Sequence, residues 1–139
     1  MKLITHLAVL ALALTLTAGP AVGQAQPASA EATLLKHAAD DFRQHTTPPP
    51  DHFRRVHLGQ FTAPDGRTRT VLCGEFKAGE PGRWARFVTV QTDPYEQWLG
   101  DSAEGWCKRP GFKPTGKDLS AALKQQLAAP AAISSAPAR

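Results

Sequence analysis

The chain has 139 residues, of which 42% are hydrophobic, and 16 Lys and Arg against 12 Asp and Glu give a formal net charge of +4. This length predicts one domain with a modest core and leaves no room for a second. Acidic and basic residues are interspersed, so the small positive excess indicates ordinary surface charge and predicts no nucleic-acid partner.

Residues 1–23 have the features of an export signal peptide. Lys2 gives a positive start, and residues 7–14 are an apolar run shorter than the ~20 residues that span a bilayer. Small residues predict cleavage after Gly23, with residues 28–30 as a second candidate. Because no cysteine lies near that point, we expect a periplasmic or secreted protein with no stable membrane anchor after signal removal.

The mature chain divides into three parts. Residues 24–30 are small and polar and predict a flexible leader. Residues 31–128 carry all the periodic apolar patterns and predict a single α+β domain. Residues 129–139 are rich in Ala, Pro and Ser, so we expect a disordered tail.

An amphipathic helix is predicted at each end of this domain. Apolar residues recur every four positions in residues 31–45, after the candidate N-cap Ser29, and again in residues 118–127. The recurring residues are Leu34, Ala38 and Phe42 in the first helix and Leu119, Leu123 and Leu127 in the second.

Three runs rich in β-branched and aromatic residues predict an antiparallel meander between the helices. They are residues 53–61, 69–77 and 83–91, and turn sequences separate them. On the middle run, Leu72 and Phe76 are expected to meet the N-terminal helix. The predicted core is Leu34, Phe42, Leu72, Phe76, Trp84 and Val88. Residues 93–100 begin with Asp-Pro and predict a short helical turn.

The chain contains two cysteines, Cys73 and Cys107. In an exported protein they predict one disulfide, with the segment that carries Cys107 covering the second face of the sheet. The expected fold is therefore an N-terminal helix packed on a three- to four-stranded antiparallel meander, with one disulfide and a C-terminal helix.

Two groups of residues could carry chemistry, but a structural role explains each of them better. Cys73 beside His57 would suit cysteine catalysis, but a second cysteine favours a bridge. His37, Asp41 and His45 lie four residues apart and could chelate a metal ion, but this spacing is common on solvated helix faces. The sequence carries no strong metal spacing, phosphate loop or nucleophile motif, so we expect no catalytic residue, metal or cofactor.

A binding surface is the preferred functional hypothesis. Arg54, Arg55, Arg83 and Arg86 lie on strands that could be neighbours, and Trp98 or Trp106 could add aromatic contact area. Such a surface predicts an anionic or acidic-surfaced envelope partner.

The segment from Phe53 to Cys107 resembles a group of small exported bacterial proteins of unknown function. The resemblance is carried by the stretches F-R-R-V at 53–56 and V-L-C-G-E-F at 71–76, by Phe87, and by W-C at 106–107. The group shares an "F-R-x-V … V-C-G-x-V-N" core. Phe76-Lys77 stands where Val-Asn is usual, and residues 79–82 are a shortened glycine-rich stretch. The resemblance implies a fold but no activity.

The functional expectation is therefore a non-enzymatic exported binding module. A small periplasmic hydrolase and a structural envelope protein are the alternatives.

Overall fold

The computed structural model of the protein describes residues 29–130. The predicted signal peptide, most of the leader and most of the C-terminal tail lie outside these residues. The elements in chain order are α1 (Ala30–His45), β1 (His52–Thr62), β2 (Thr68–Lys77), β3 (Ala85–Val90), β4 (Glu96–Leu99), α2 (Asp101–Cys107), β5 (Lys113–Thr115) and α3 (Ser120–Ala128).

The strands form one antiparallel sheet in the order β4-β3-β2-β1-β5, which confirms the predicted α+β class and meander. The sheet has five strands and not three or four, because β4 and β5 add to its two edges. Residues 96–99 were expected to belong to a helical turn. They pair with β3 instead, and this pairing satisfies backbone groups that one isolated helical turn would leave open.

One face of the sheet is covered by α1 and α3. The Oγ of Ser29 accepts a hydrogen bond from the backbone N–H of Ala32 at 3.2 Å, which confirms the predicted N-cap. Phe42 of α1 is fully buried, and its ring centroid lies 4.9 Å from that of Phe76 and 5.2 Å from that of Phe87. Leu72 and Phe76 therefore face the helix, as predicted.

The C-terminal helix α3 packs against α1 and β1. Leu119 and Leu123 are buried in the same core as Phe42. The backbone N–H of Leu119 donates to the carbonyl of Val56 at 2.7 Å. The guanidinium of Arg43 donates to the carbonyl oxygens of Gln126, Leu127 and Ala129 at the end of α3. These bonds fix the helix, since its last carbonyls have no partner within the helix.

The opposite face of the sheet carries the predicted disulfide. Cys73 of β2 and Cys107 of α2 are bonded, with 6.0 Å between their Cα atoms, and α2 lies over this face. Buried apolar side chains surround the bridge: Phe61, Val71, Val88, Val90 and Ala103. A disulfide suggests a location outside the cytoplasm. Within residues 29–130, no helix is long and apolar enough to cross a membrane.

Two residues of the predicted helix-side core were assigned wrongly. Val88 lies directly opposite Cys73, and residues opposite each other in an antiparallel pair share a face, so Val88 packs on the disulfide side. Phe87 takes its place under α1. Trp84 precedes β3 and remains 38% exposed, with the Arg54 guanidinium 4.0 Å from its ring centroid.

Candidate functional site

A β-bulge in β1 places the charged residues of the candidate site. Arg54 pairs with Glu75 and His57 pairs with Cys73, so Arg55 and Val56 together oppose the single residue Gly74. Arg55 takes the left-handed backbone conformation, with φ of 52°. Glu75 and Cys73 lie two residues apart on β2, so they share a face of the sheet. Arg54 and His57 lie three residues apart on β1 and would normally point to opposite faces. The extra residue of the bulge places both of them on the face of Glu75 and Cys73.

Gly74 lets the sheet close around this bulge. A Cβ atom at this position would lie 2.6 Å from the Phe87 ring and 2.8 Å from a methyl group of Val56. Both neighbours are buried in the helix-side core and cannot move away freely. The glycine next to Cys73 is therefore a packing requirement of the bulge.

A cavity of about 230 Å³ opens on the disulfide face beside the bulge. Its walls combine an apolar and a charged part. The apolar part is formed by Cys73, Cys107, Phe112 and Pro114, and the charged part by Arg55, His57, Glu75 and Arg86.

Glu75 lies at the centre of the charged part. Its side chain is 13% exposed, and its Oε2 accepts a hydrogen bond from Nε of Arg54 at 2.5 Å. The other oxygen, Oε1, lies 3.8 Å from Nη1 of Arg55 and 3.9 Å from Nη2 of Arg86. Three guanidinium groups thus surround one carboxylate, which leaves local positive charge that Glu75 does not balance.

The three arginines differ in how firmly they are held. Arg54 donates a short hydrogen bond to Glu75 and also stacks on Trp84. Arg55 and Arg86 lie beyond hydrogen-bond distance of Glu75. Their side chains are 73% and 34% exposed, respectively, and both line the cavity, whereas Arg54 does not. Arg55 and Arg86 therefore line the cavity without a hydrogen bond to Glu75.

Glu104 of α2 places a second carboxylate near the Arg86 guanidinium. Its Oε2 lies 4.0 Å from Nε of Arg86, and its Oε1 accepts a hydrogen bond from Nζ of Lys108. The Lys108 hydrogen bond and charge, together with the charge of Arg86, lower the pKa of Glu104 from its ordinary value. Glu104 is thus ionised at neutral pH and adds a negative charge beside Arg86.

The remaining sequence-predicted site residues lie elsewhere. Arg83 is exposed in the loop before β3 and does not line the cavity. Trp98 of β4 is 43% exposed, and its indole N–H donates to Glu96 at 3.2 Å. Trp106 packs edge-on against Phe61 in the disulfide-side core, with ring centroids 5.5 Å apart. The structure thus brings together Arg54, Arg55 and Arg86 only.

Glu75 and the place of His57 in this cavity were not predicted from the sequence. Both positions follow from strand register, which sets Glu75 opposite Arg54 and His57 opposite Cys73. A usable signal was present for Glu75, because it lies two residues from Cys73 and so shares its face.

The candidate metal ligands on α1, which are His37, Asp41 and His45, make contacts within the protein. The ring of His37 stacks on Tyr95 with centroids 3.8 Å apart, and His45 Nε2 lies 3.9 Å from Asp41 Oδ1. Burial lowers the pKa of His37 and raises the pKa of Asp41. Across residues 29–130, no three metal-ligating side chains lie close enough to hold an ion. His37 therefore joins α1 to the loop before β4.

Comparison of the chain with known protein families, with curated proteins and with solved structures finds no significant match.

Proposed function

We propose that this protein is an exported, non-enzymatic binding module that takes a carboxylate with a small apolar body into the cavity beside the disulfide. One observation carries the proposal. Arg55 and Arg86 line a cavity next to an apolar wall, and their guanidinium groups lie 3.8 and 3.9 Å from Glu75, too far to be hydrogen-bonded to it.

Arginine is suited to a carboxylate because its planar guanidinium donates two parallel hydrogen bonds to the two oxygens. Glu75 keeps the two guanidiniums close together and reduces their mutual repulsion. The Glu75 side chain is 13% exposed and forms part of the cavity wall. A ligand carboxylate would add the negative charge that this cluster lacks.

The apolar wall selects the remainder of the ligand. Phe112, Pro114 and the disulfide exclude water from one side of the cavity, which strengthens charge interactions there. A volume of about 230 Å³ lies below the range of ~300–1,000 Å³ that is common for drug-sized ligands. The proposed ligand is therefore a short-chain acid or a single acidic group of a larger envelope component.

An exported location fits this proposal. The sequence features of residues 1–23 and the disulfide both favour a periplasmic or secreted protein. A binding module in that compartment would meet both free acids and acidic surfaces of envelope components.

Calorimetric titration with propionate and with propionamide tests the proposal. Propionate should bind saturably, while the isosteric neutral amide should not, because it cannot accept two charge-assisted hydrogen bonds. Arg55→Gln and Arg86→Gln should each weaken propionate binding about 10-fold or more, the loss expected for a hydrogen bond to a charged group. Arg83→Gln removes the same charge outside the cavity and should change affinity less than twofold (~0.4 kcal/mol).

Three further outcomes are informative. If Arg83→Gln and Arg86→Gln weaken propionate binding equally, the interaction depends only on general surface charge, and the proposal is overturned. Turnover of an ester, peptide or glycan by the pure protein would overturn its non-enzymatic part. Capture of an envelope component by wild type but not by Arg86→Gln, with competition by propionate, would identify a macromolecule as the source of the carboxylate.

A further inference from the structure

The disulfide is itself a wall of the charged cavity. Cys73 and Cys107 both line it, and Cys107 is only partly buried. Exchange of a disulfide requires a thiolate to reach one of its sulfurs, so access decides whether the bond is inert. Cys73 is 6% exposed, so a thiolate that enters the cavity has better access to the Cys107 side of the bridge.

The charges around the cavity favour Cys73 as a thiolate. His57 lies directly opposite Cys73 in the β1–β2 pair, and such partners have Cβ atoms ~4.5–5.5 Å apart. Arg55 and Arg86 line the same cavity. Arg54 offsets the negative charge of Glu75, and Glu104 offsets part of the charge of Arg86, so three arginines against two glutamates leave one positive charge here. Nearby cationic groups lower the free energy of a thiolate and so make it a better leaving group.

The two cysteines also differ in how they are anchored. Cys73 lies in the middle of β2, which is paired with β1 on one side and β3 on the other. Cys107 is the last residue of α2, a helix of seven residues. If the bridge opened, Cys73 would stay in place beside the arginines, and Cys107 could move with the end of α2. The incoming sulfur is therefore expected on Cys107.

We infer that the cavity promotes thiol–disulfide exchange with low-molecular-weight thiols that carry a carboxylate. This inference rests on the proposed function, because Arg55 and Arg86 would hold the carboxylate of the thiol. The thiolate sulfur attacks Sγ of Cys107 and forms a new S–S bond. The Cys73–Cys107 bond breaks, and its electron pair remains on Cys73 as a thiolate.

The step consumes one disulfide and forms another, so no external oxidant or reductant is needed. The reverse attack, by the Cys73 thiolate on Cys107, closes the native bridge and expels the thiol. The arginines then have two tasks, since they bind the carboxylate of the incoming thiol and stabilise the thiolate that leaves.

The test compares three thiols of similar size on the oxidised protein: 3-mercaptopropionate, 2-mercaptoethanol and cysteamine. Released Cys73 is trapped with iodoacetamide, and products are identified by mass and peptide mapping. Each rate is divided by the rate of the same thiol with the same disulfide in denaturant, which removes differences in intrinsic nucleophilicity. The normalised rate should be about 10-fold higher for mercaptopropionate than for mercaptoethanol, as electrostatic steering allows, and lowest for cysteamine.

Two controls test whether a preference for mercaptopropionate depends on the cavity. Arg55→Gln and Arg86→Gln should remove the preference for mercaptopropionate, and Arg83→Gln should retain it. Propionate, which has no thiol, should inhibit the reaction of mercaptopropionate with the wild-type protein. This competition needs no variant, so it decides the question even if a substitution disturbs folding.

The possible outcomes separate this inference from the proposed function. Equal normalised rates for the three thiols, with propionate still bound, would overturn the exchange activity and leave carboxylate binding intact. Equal rates without propionate binding would overturn both. An adduct on Cys73 with alkylation on Cys107 would contradict the assignment of Cys73 as the leaving thiolate.

Discussion

Replacement of Phe42 by alanine tests the packing of α1 on the sheet. Phe42 is fully buried, and its ring lies 4.9 Å from Phe76, 5.2 Å from Phe87 and 5.5 Å from Phe53, measured between centroids. Phe→Ala in a core costs ~3–5 kcal/mol, and loss of these aromatic pairs favours the upper part of that range. Alanine is the better helix former by ~0.5 kcal/mol, which offsets part of the loss. We expect a decrease of about 4 kcal/mol in the free energy of unfolding.

Urea unfolding followed by circular dichroism measures this decrease, with the disulfide intact in both proteins. In a separate thermal melt, the melting temperature of a domain of this size should fall by about 15 to 30 °C. Trp98→Ala is the matched control, because this aromatic is 43% exposed on the edge strand β4 and should cost less than ~1 kcal/mol. A Phe42→Ala cost below ~1.5 kcal/mol, or one equal to that of Trp98→Ala, would contradict the described core.

Three further predictions concern stability. Replacing both cysteines by alanine should cost about 4 kcal/mol at 25 °C, since the bridge spans a sequence separation of 34 residues; an unchanged urea midpoint would refute this. Gly74→Ala should cost ~1–3 kcal/mol by the same assay, because its Cβ would overlap Phe87 and Val56, whereas a neutral effect would argue against the bulge. Burial raises the pKa of Asp41, so the protonated form is favoured in the folded state and stability decreases as pH rises from 3.8 through the folded-state pKa. Asp41→Asn should lack this decrease and be more stable than wild type at pH 7; if both proteins show the same pH dependence of unfolding, Asp41 is not the group responsible.

Local patterns predicted those parts of the fold that depend on neighbouring residues. The four-residue spacing of Leu34, Ala38 and Phe42 and the cap at Ser29 define α1. Two cysteines leave one pairing, and alternation along β2 separates Leu72 from Cys73. Each of these features is set within a few residues of the chain or by the number of cysteines.

Strand register was the part that the sequence did not show. Alternation along the third run predicts which residues share a side, but it cannot tell which side faces α1. That choice depends on the pairing of Val88 with Cys73, a contact between distant parts of the chain. The strand β4 was missed for a similar reason, since its conformation depends on pairing with β3.

The candidate site depended on register even more strongly. The sequence grouped four arginines by their spacing on neighbouring strands, and the structure separates Arg83 from the other three. The bulge at Arg55 has no signal in the side chains of β1, because it depends on the space that Gly74 leaves under Phe87. Without that bulge, Arg54 and His57 would point to opposite faces, and the cavity would lose part of its charged wall.

The side-chain Nε–Hε signals of the arginines give the most direct test of the carboxylate-binding account. The measurement is a titration of ¹⁵N-labelled protein with propionate, observed in the arginine region of the NMR spectrum. If the cavity binds carboxylates, we expect saturable shifts at Arg55 and Arg86 and no shift at Arg83. The backbone amides of Cys107 and Phe112 should shift with the same apparent affinity. Shifts spread evenly over all arginines, or centred on Arg83, would contradict the account.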